Sequence, residues 1–113
     1  MVQYNLEERT YEYAKAVREY VKKLPRTISN IEYGKQVIRS SGSQAANYIE
    51  ANESCSKKDF CLRVKISKKE TKETRLWLRL TEPLKGNECE REKLIGEANE
   101  LMRIFGAIVE NSK

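Results

Sequence analysis

The sequence has 113 residues, 39% apolar and 35% charged, with five Gly, two Pro and a net charge of +5. That composition excludes a disordered or loop-rich chain and fits one small helical domain, residues 1–113, with narrow buried stripes. Histidine is absent, which removes the commonest general base and metal ligand and excludes a Ser-His or Cys-His pair, even between copies of the chain.

The three cysteines, Cys55, Cys61 and Cys89, form no C-x-x-C pair. An odd count gives neither a disulfide framework nor a zinc ligand set, so reduced thiols in a cytoplasmic protein are expected. The segment Met1-Val-Gln-Tyr-Asn-Leu-Glu-Glu8 has no basic region followed by an apolar one, so no signal peptide is expected. No apolar run reaches the length of a membrane span.

Asn5-Leu-Glu-Glu8 has the form of a helix start. From it Leu6, Thr10, Tyr13, Val17, Tyr20, Val21 and Leu24 recur at spacings of three and four, which predicts a helix over 6–24 ended by Pro25. Ser29-Asn-Ile-Glu32 repeats the capping pattern and predicts a second helix over 30–54. Its expected inner face is Ile31, Gly34, Val37, Ile38, Ser41, Ala45, Tyr48 and Ile49. That face is weak at Ser40 to Ser43, where Gly42 costs about 1 kcal/mol relative to Ala. Such a run predicts close helix approach.

Ser56-Lys-Lys-Asp59 caps a third helix, predicted over 57–82. It carries two apolar stripes. Phe60, Val64, Ser67, Thr71 and Leu78 form one, and Leu62, Ile66, Glu73, Leu76, Trp77 and Leu80 the other. Two stripes predict two covered sides, the bundle core and a neighbour. Pro83 and Gly86 end it, and Asn87-Glu-Cys-Glu90 caps a fourth helix over 88–110 with the cleanest stripe, from Leu94 to Val109. Four helices of about 30 Å joined by short connections give an all-α, antiparallel up-down-up-down four-helix bundle.

The basic charge is concentrated. Between Lys57 and Arg79 nine cations face three acids, a net of +6, so the rest of the chain nets −1. Lys57, Lys58, Arg63, Lys65, Lys68, Lys69, Lys72 and Arg79 are the candidate nucleic-acid contacts, which would neutralise phosphates without reading sequence. The competing reading is a solvated helix face, its cations paired with Glu70, Glu73 or the acidic fourth helix. Tyr33, Tyr48, Phe60 and Trp77 could stack on bases, but Phe60 and Trp77 fall at packing positions.

Glu70 and Glu73 lie on one face of the third helix, and Glu50 and Glu53 on one face of the second. Di-iron bundles use such carboxylates together with Glu-x-x-His, which is missing here, so ion pairing with Arg39, Arg75 or a neighbouring chain is expected instead of a metal. Arg39, Ser40, Ser43, Asn47 and Glu50 share a face and form a candidate polar seam between helices or subunits, with a ligand pocket as the alternative, and Glu70, Glu73 and Trp77 are grouped with the seam. No Walker, Rossmann or nucleophile-elbow pattern occurs. No cofactor and no enzymatic activity are expected.

Gln36 to Ser43, Ala46-Asn-Tyr-Ile-Glu-Ala51, Ser56-Lys-Lys-Asp-Phe60 and Lys69 to Leu78 resemble the 23S rRNA intervening-sequence proteins. The resemblance runs from about Leu6 to the end and is most specific in the middle. It implies a small four-helix bundle of bacterial origin that assembles into a ring-like homopentamer and whose biochemical role is not established. A related branch, the accessory variability determinant of diversity-generating retroelements, implies nucleic-acid binding through a basic surface. Arg39, Ser43, Asn47, Glu50, Asp59, Phe60, Glu70, Glu73 and Trp77 match the family's recurring positions and look like structural determinants. Gln44 departs, standing where an apolar residue is expected. The expectation is therefore a homo-oligomeric bundle that binds RNA or another nucleic acid, with a protein-interaction scaffold as the alternative.

Overall fold

The computed structural model describes residues 5–113, which form α1 (Leu6–Lys22), α2 (Ile28–Asn52), α3 (Lys57–Leu80) and α4 (Glu88–Asn111). The expectation of no signal peptide rests partly on Met1–Tyr4, which lie outside the described residues.

Two helix starts follow the capping pattern. The Asn5 side chain accepts the Glu7 N–H at 2.9 Å and the Ser56 hydroxyl accepts the Asp59 N–H at 3.1 Å. The other two starts differ from expectation. Thr27, not Ser29, caps α2 by accepting the Asn30 N–H at 3.1 Å. The earlier start turns Asn30 inward, where it donates to the Pro25 and Glu82 carbonyls and accepts the Glu82 N–H. Asn30 thus ties the α1–α2 connection to the end of α3. Asn87 makes no side-chain cap bond. Instead, Glu88 accepts the Gly86 N–H at 2.6 Å. Gly86 has φ 102°, a turn conformation that favours glycine.

α1 stops at Lys22, two residues short of the predicted end, with Lys23 and Leu24 bonding back to Tyr20 and Val21 in a tightened last turn. α2 likewise ends at Asn52 and α3 at Leu80, where Thr81 turns to extended backbone.

Neighbouring helices run antiparallel. Arg9 meets Glu97 and Lys23 meets Glu90 between α1 and α4. Arg39 meets Glu70 while Arg63 meets Asn47 between α2 and α3. Cys61 reaches Ser112 and Arg75 reaches Asn99 between α3 and α4. Between α1 and α2, Gln44 bonds the Thr10 carbonyl and Val21 lies over Gly34. The bundle is therefore up-down-up-down, around a core of Tyr13, Val17, Tyr20, Val37, Val64, Leu78, Leu94, Leu101 and Phe105.

α2 buries half of its expected face, Gly34, Val37, Ser41 and Ala45, with Tyr48 packed against the core, but is turned so that Ile31, Ile38 and Ile49 are exposed and Ser40 and Gln44 are buried in their place. The physical reason lies on α3, which presents Ser67, Thr71 and Thr74 inward. Ser40 and Thr74 hydroxyls sit 2.7 Å apart, and Ser67 donates to the Gln44 carbonyl at 2.9 Å. The α2–α3 contact is thus a hydrogen-bonded layer of small polar residues. The close approach expected at Gly42 falls instead at Gly34, where a Cβ would come 3.3 Å from Val21 Cγ1.

Candidate nucleic-acid interface

α3 turns Val64, Ser67, Thr71, Thr74 and Leu78 to the core, so the residues between them face out. Lys57, Lys58, Lys65, Lys68, Lys69, Lys72 and Arg79 are all exposed. From Lys57 to Arg79 the stripe is about 33 Å long at 1.5 Å per residue. Lys69, Lys72, Arg75 and Arg79 stand around Leu76 and frame, with Glu73, a depression of about 350 Å³. Such a row can neutralise successive backbone phosphates, and apolar Leu76 offers a floor for a base or sugar.

Arg63 is set apart from the row: it points toward α2 and donates to Asn47 Oδ1 at 2.9 Å. Arg75 stays beside Leu76 while donating to Asn99 Oδ1 of α4 at 2.7 Å. The expected pairing of the stripe with Glu70, Glu73 or α4 is not what the geometry gives. Among the described residues no α3 cation forms an ion pair, and Glu70 and Glu73 both turn to Arg39 of α2, at 3.4 and 3.5 Å. Glu70 and Glu73 therefore do not pair with the α3 cations, and Asp59, the third acid of α3, forms no ion pair among the described residues.

The polar seam is assembled in part. Arg39, Glu70 and Glu73 form one cluster. Asn47 donates to the Ser43 carbonyl at 3.0 Å and accepts from Arg63, forming a second. Glu50 joins neither side chain and instead borders a shallow depression with Glu53, Asp59 and Arg63. Trp77 stacks on Tyr33 with centroids 5.9 Å apart, and its indole N–H has no partner. It is a packing residue between α3 and α2, not a free base platform. Tyr48 and Phe60 likewise pack against the core. The Glu70 side chain is 9% exposed against 56% for that of Arg39, so the carboxylate is buried and its cation faces water.

Among the described residues no group of His, Cys, Asp or Glu side chains stands close enough to hold a metal ion. None of the described helices is long and apolar enough to cross a membrane. Cys55 and Cys89 are exposed and Cys61 is half-buried, all as free thiols.

Two features escaped the sequence reading. Of the Ser40–Gln44–Ser67–Thr74 layer, Ser67 falls on the predicted core stripe of α3 and Ser40 on the predicted seam, but joining them with Gln44 and Thr74 needs the α2–α3 register, which no local pattern carries. A second cationic groove, rimmed by Arg18, Lys22, Arg26 and Lys35, arises from two helices and has no linear signature.

The family profile described as 23S rRNA-intervening sequence protein matches residues 3–107. The chain belongs to this family. A similar solved structure, a protein of unknown function of the S23 ribosomal protein family from Bacteroides thetaiotaomicron, superposes with a TM-score of 0.78 at 27% identity. The match covers 93% of this chain and 98% of that one, so the family fold extends over nearly the whole bundle. No curated protein matches the chain.

Proposed function

We propose that this family member is a non-enzymatic, cytoplasmic homo-oligomer, a ring of five copies, that binds nucleic acid along the outward face of α3, with RNA as the first candidate. One observation carries the reading: the exposed cations of α3 have no acidic partners among the described residues, because Glu70 and Glu73 are held by Arg39. Unneutralised cations spaced along one helix favour a polyanion over a compact ligand. Repetition around a ring sums these fields on one side of the assembly. Binding is then salt-dependent and largely independent of sequence.

The scaffold reading keeps one observation of its own. Leu62, Leu76 and Leu80 are exposed beside the cations and offer an apolar contact to a protein.

A fluorescence-anisotropy titration with a structured RNA at low and high salt tests the first reading. Wild type binds at low salt, and Lys65, Lys68, Lys69 and Lys72 changed together to Glu abolish binding. No binding at low salt, or no loss in the variant, overturns it in favour of the scaffold. Light scattering at micromolar concentration tests the assembly, and a monomer there overturns it.

A further inference from the structure

Gly42 lies mid-way along the 25-residue α2, exposed, and a Cβ built there meets no atom within 4 Å. A glycine inside a helix costs about 1 kcal/mol relative to alanine. Nothing in the chain requires this one. A second backbone passing close over it would. Its surroundings suit such a contact. Ile38, one turn before, and Ile49, two turns after, are 46% and 45% exposed, and Tyr11 of α1 stands out beside them at 53%.

The face these residues share, formed by the outer sides of α1 and α2, is also bipolar. Where α1 ends and α2 begins, Arg18, Lys22, Arg26 and Lys35 rim a groove of about 420 Å³ floored by Val21, Ile31 and Ile38, and no acid lines it. Glu19, on the outer side of α1, bonds Arg18 and Lys22, and Glu32 stands 3.9 Å from Lys35, all as exposed surface pairs, which hold weakly. At the opposite end, where α1 begins and α2 finishes, stand Glu7 and Glu8 on α1 and, at the edge of the face beside the α3 groove, Glu50 and Glu53 on α2.

We propose that this face docks a second copy of the chain about a two-fold axis at Gly42, with the two α2 helices antiparallel. Lys35 lies seven residues before Gly42 and Glu50 eight after it. The antiparallel crossing therefore sets Lys35 of each copy beside Glu50 of the other. On α1 the level of Gly42 falls near Glu12 and Tyr13, because Thr10 faces Gln44 and Val21 faces Gly34. The same axis then sets Arg18 against Glu7. A parallel pairing would place like charges together, so charge selects the antiparallel arrangement. The cationic face of α3 is unsuited to this groove, since both are positive. The contact rests on the reading of the chain as a homo-oligomer but not on the ring or on nucleic acid. Combined with a ring of five, it joins two rings face to face.

Light scattering on wild type, Gly42→Leu, Arg18→Glu and the double variant Arg18→Glu with Glu7→Arg tests it, with circular dichroism confirming that each folds. The expected result is a mass that is an even multiple of 13.2 kDa, halved in both single variants and restored in the double one. Gly42→Ala is expected to raise the melting temperature of the separated protein while weakening the contact about tenfold. An unchanged mass in both single variants overturns the contact and leaves a ring standing. A two-copy wild type that becomes monomeric supports the contact and overturns the ring. A monomeric wild type overturns both.

Discussion

Arg39 Nη1 lies 3.4 Å from Glu70 Oε1, joining an exposed guanidinium on α2 to a buried carboxylate on α3. The carboxylate has little water around it, so the pair matters more to Glu70 than to Arg39. Arg39→Ala is expected to destabilise the fold by about 1–2 kcal/mol, below the range for fully buried pairs because Arg39 is solvated. Adding Glu70→Gln should recover most of that loss, since the neutral amide needs no counter-charge. Urea denaturation of the two variants checks this. Equal losses in both would mean that Glu70 does not depend on Arg39.

Gln44 is fully buried, its Nε2 bonded to the Thr10 carbonyl at 2.9 Å and its Oε1 without a partner. A buried unpaired acceptor costs about 1–3 kcal/mol, while one neutral hydrogen bond contributes about 1 kcal/mol. Gln44→Leu removes both and keeps most of the volume. It is expected to match wild type or exceed it by up to about 1 kcal/mol, whereas Gln44→Ala opens a cavity and loses about 2 kcal/mol or more. Thermal melts of the two variants distinguish these outcomes, and a strongly destabilised Gln44→Leu would show that Oε1 is satisfied in solution.

The bundle was legible because its signals are local. Asn5 and Ser56 cap helices through bonds spanning two or three residues, and the α4 stripe from Leu94 to Val109 repeats at helical spacing. On α2 the burial of Gly34, Val37, Ser41 and Ala45 was legible, but the exchange of its isoleucines for Ser40 and Gln44 was not. Its isoleucines outrank Ser40 and Gln44 in hydrophobicity, yet the facing helix supplies hydroxyls, and hydrogen bonding across the boundary decides which side is buried. The same limit applies to the charged residues. Lys57 to Arg79 could be counted from the sequence, but which cations lack acids depends on where Arg39 of another helix reaches. Asn30 shows it again: a residue read as part of a helix start instead locks two connections through Glu82.

Burial makes Tyr13 and Tyr20 sensitive to alkaline pH. Burial pushes the Tyr13 hydroxyl well above its ordinary value near 10, with the Glu97 charge adding to the shift. Burial also raises Tyr20, partly opposed by its bond to Thr81. A phenol whose native pKa is raised contributes no pH dependence below about pH 10, where it is neutral in both states. Above that, only the unfolded chain ionises, so stability falls as pH rises. Tyr13→Phe should lose about 1 kcal/mol at neutral pH, from its bond to the Leu94 carbonyl, and show a shallower decline above pH 10. Denaturation midpoints at neutral pH and above pH 10 check this. An undiminished slope would mean that Tyr13 does not titrate with unfolding.

The α3 stripe makes a graded prediction for nucleic-acid binding. Each cation that neutralises a phosphate contributes about 0.7–0.9 to the slope of log affinity against log salt. Lys69→Gln and Lys72→Gln, both at exposed positions around Leu76, should each reduce the slope by about that amount and weaken binding to unrelated sequences alike. Arg63→Gln should leave the slope unchanged, because Arg63 points away from the stripe and is bonded to Asn47. Anisotropy titrations over a salt series separate the two classes. If Arg63→Gln lowers the slope as much as Lys69→Gln, the bound strand runs along the α2–α3 groove and not along the outward row of lysines.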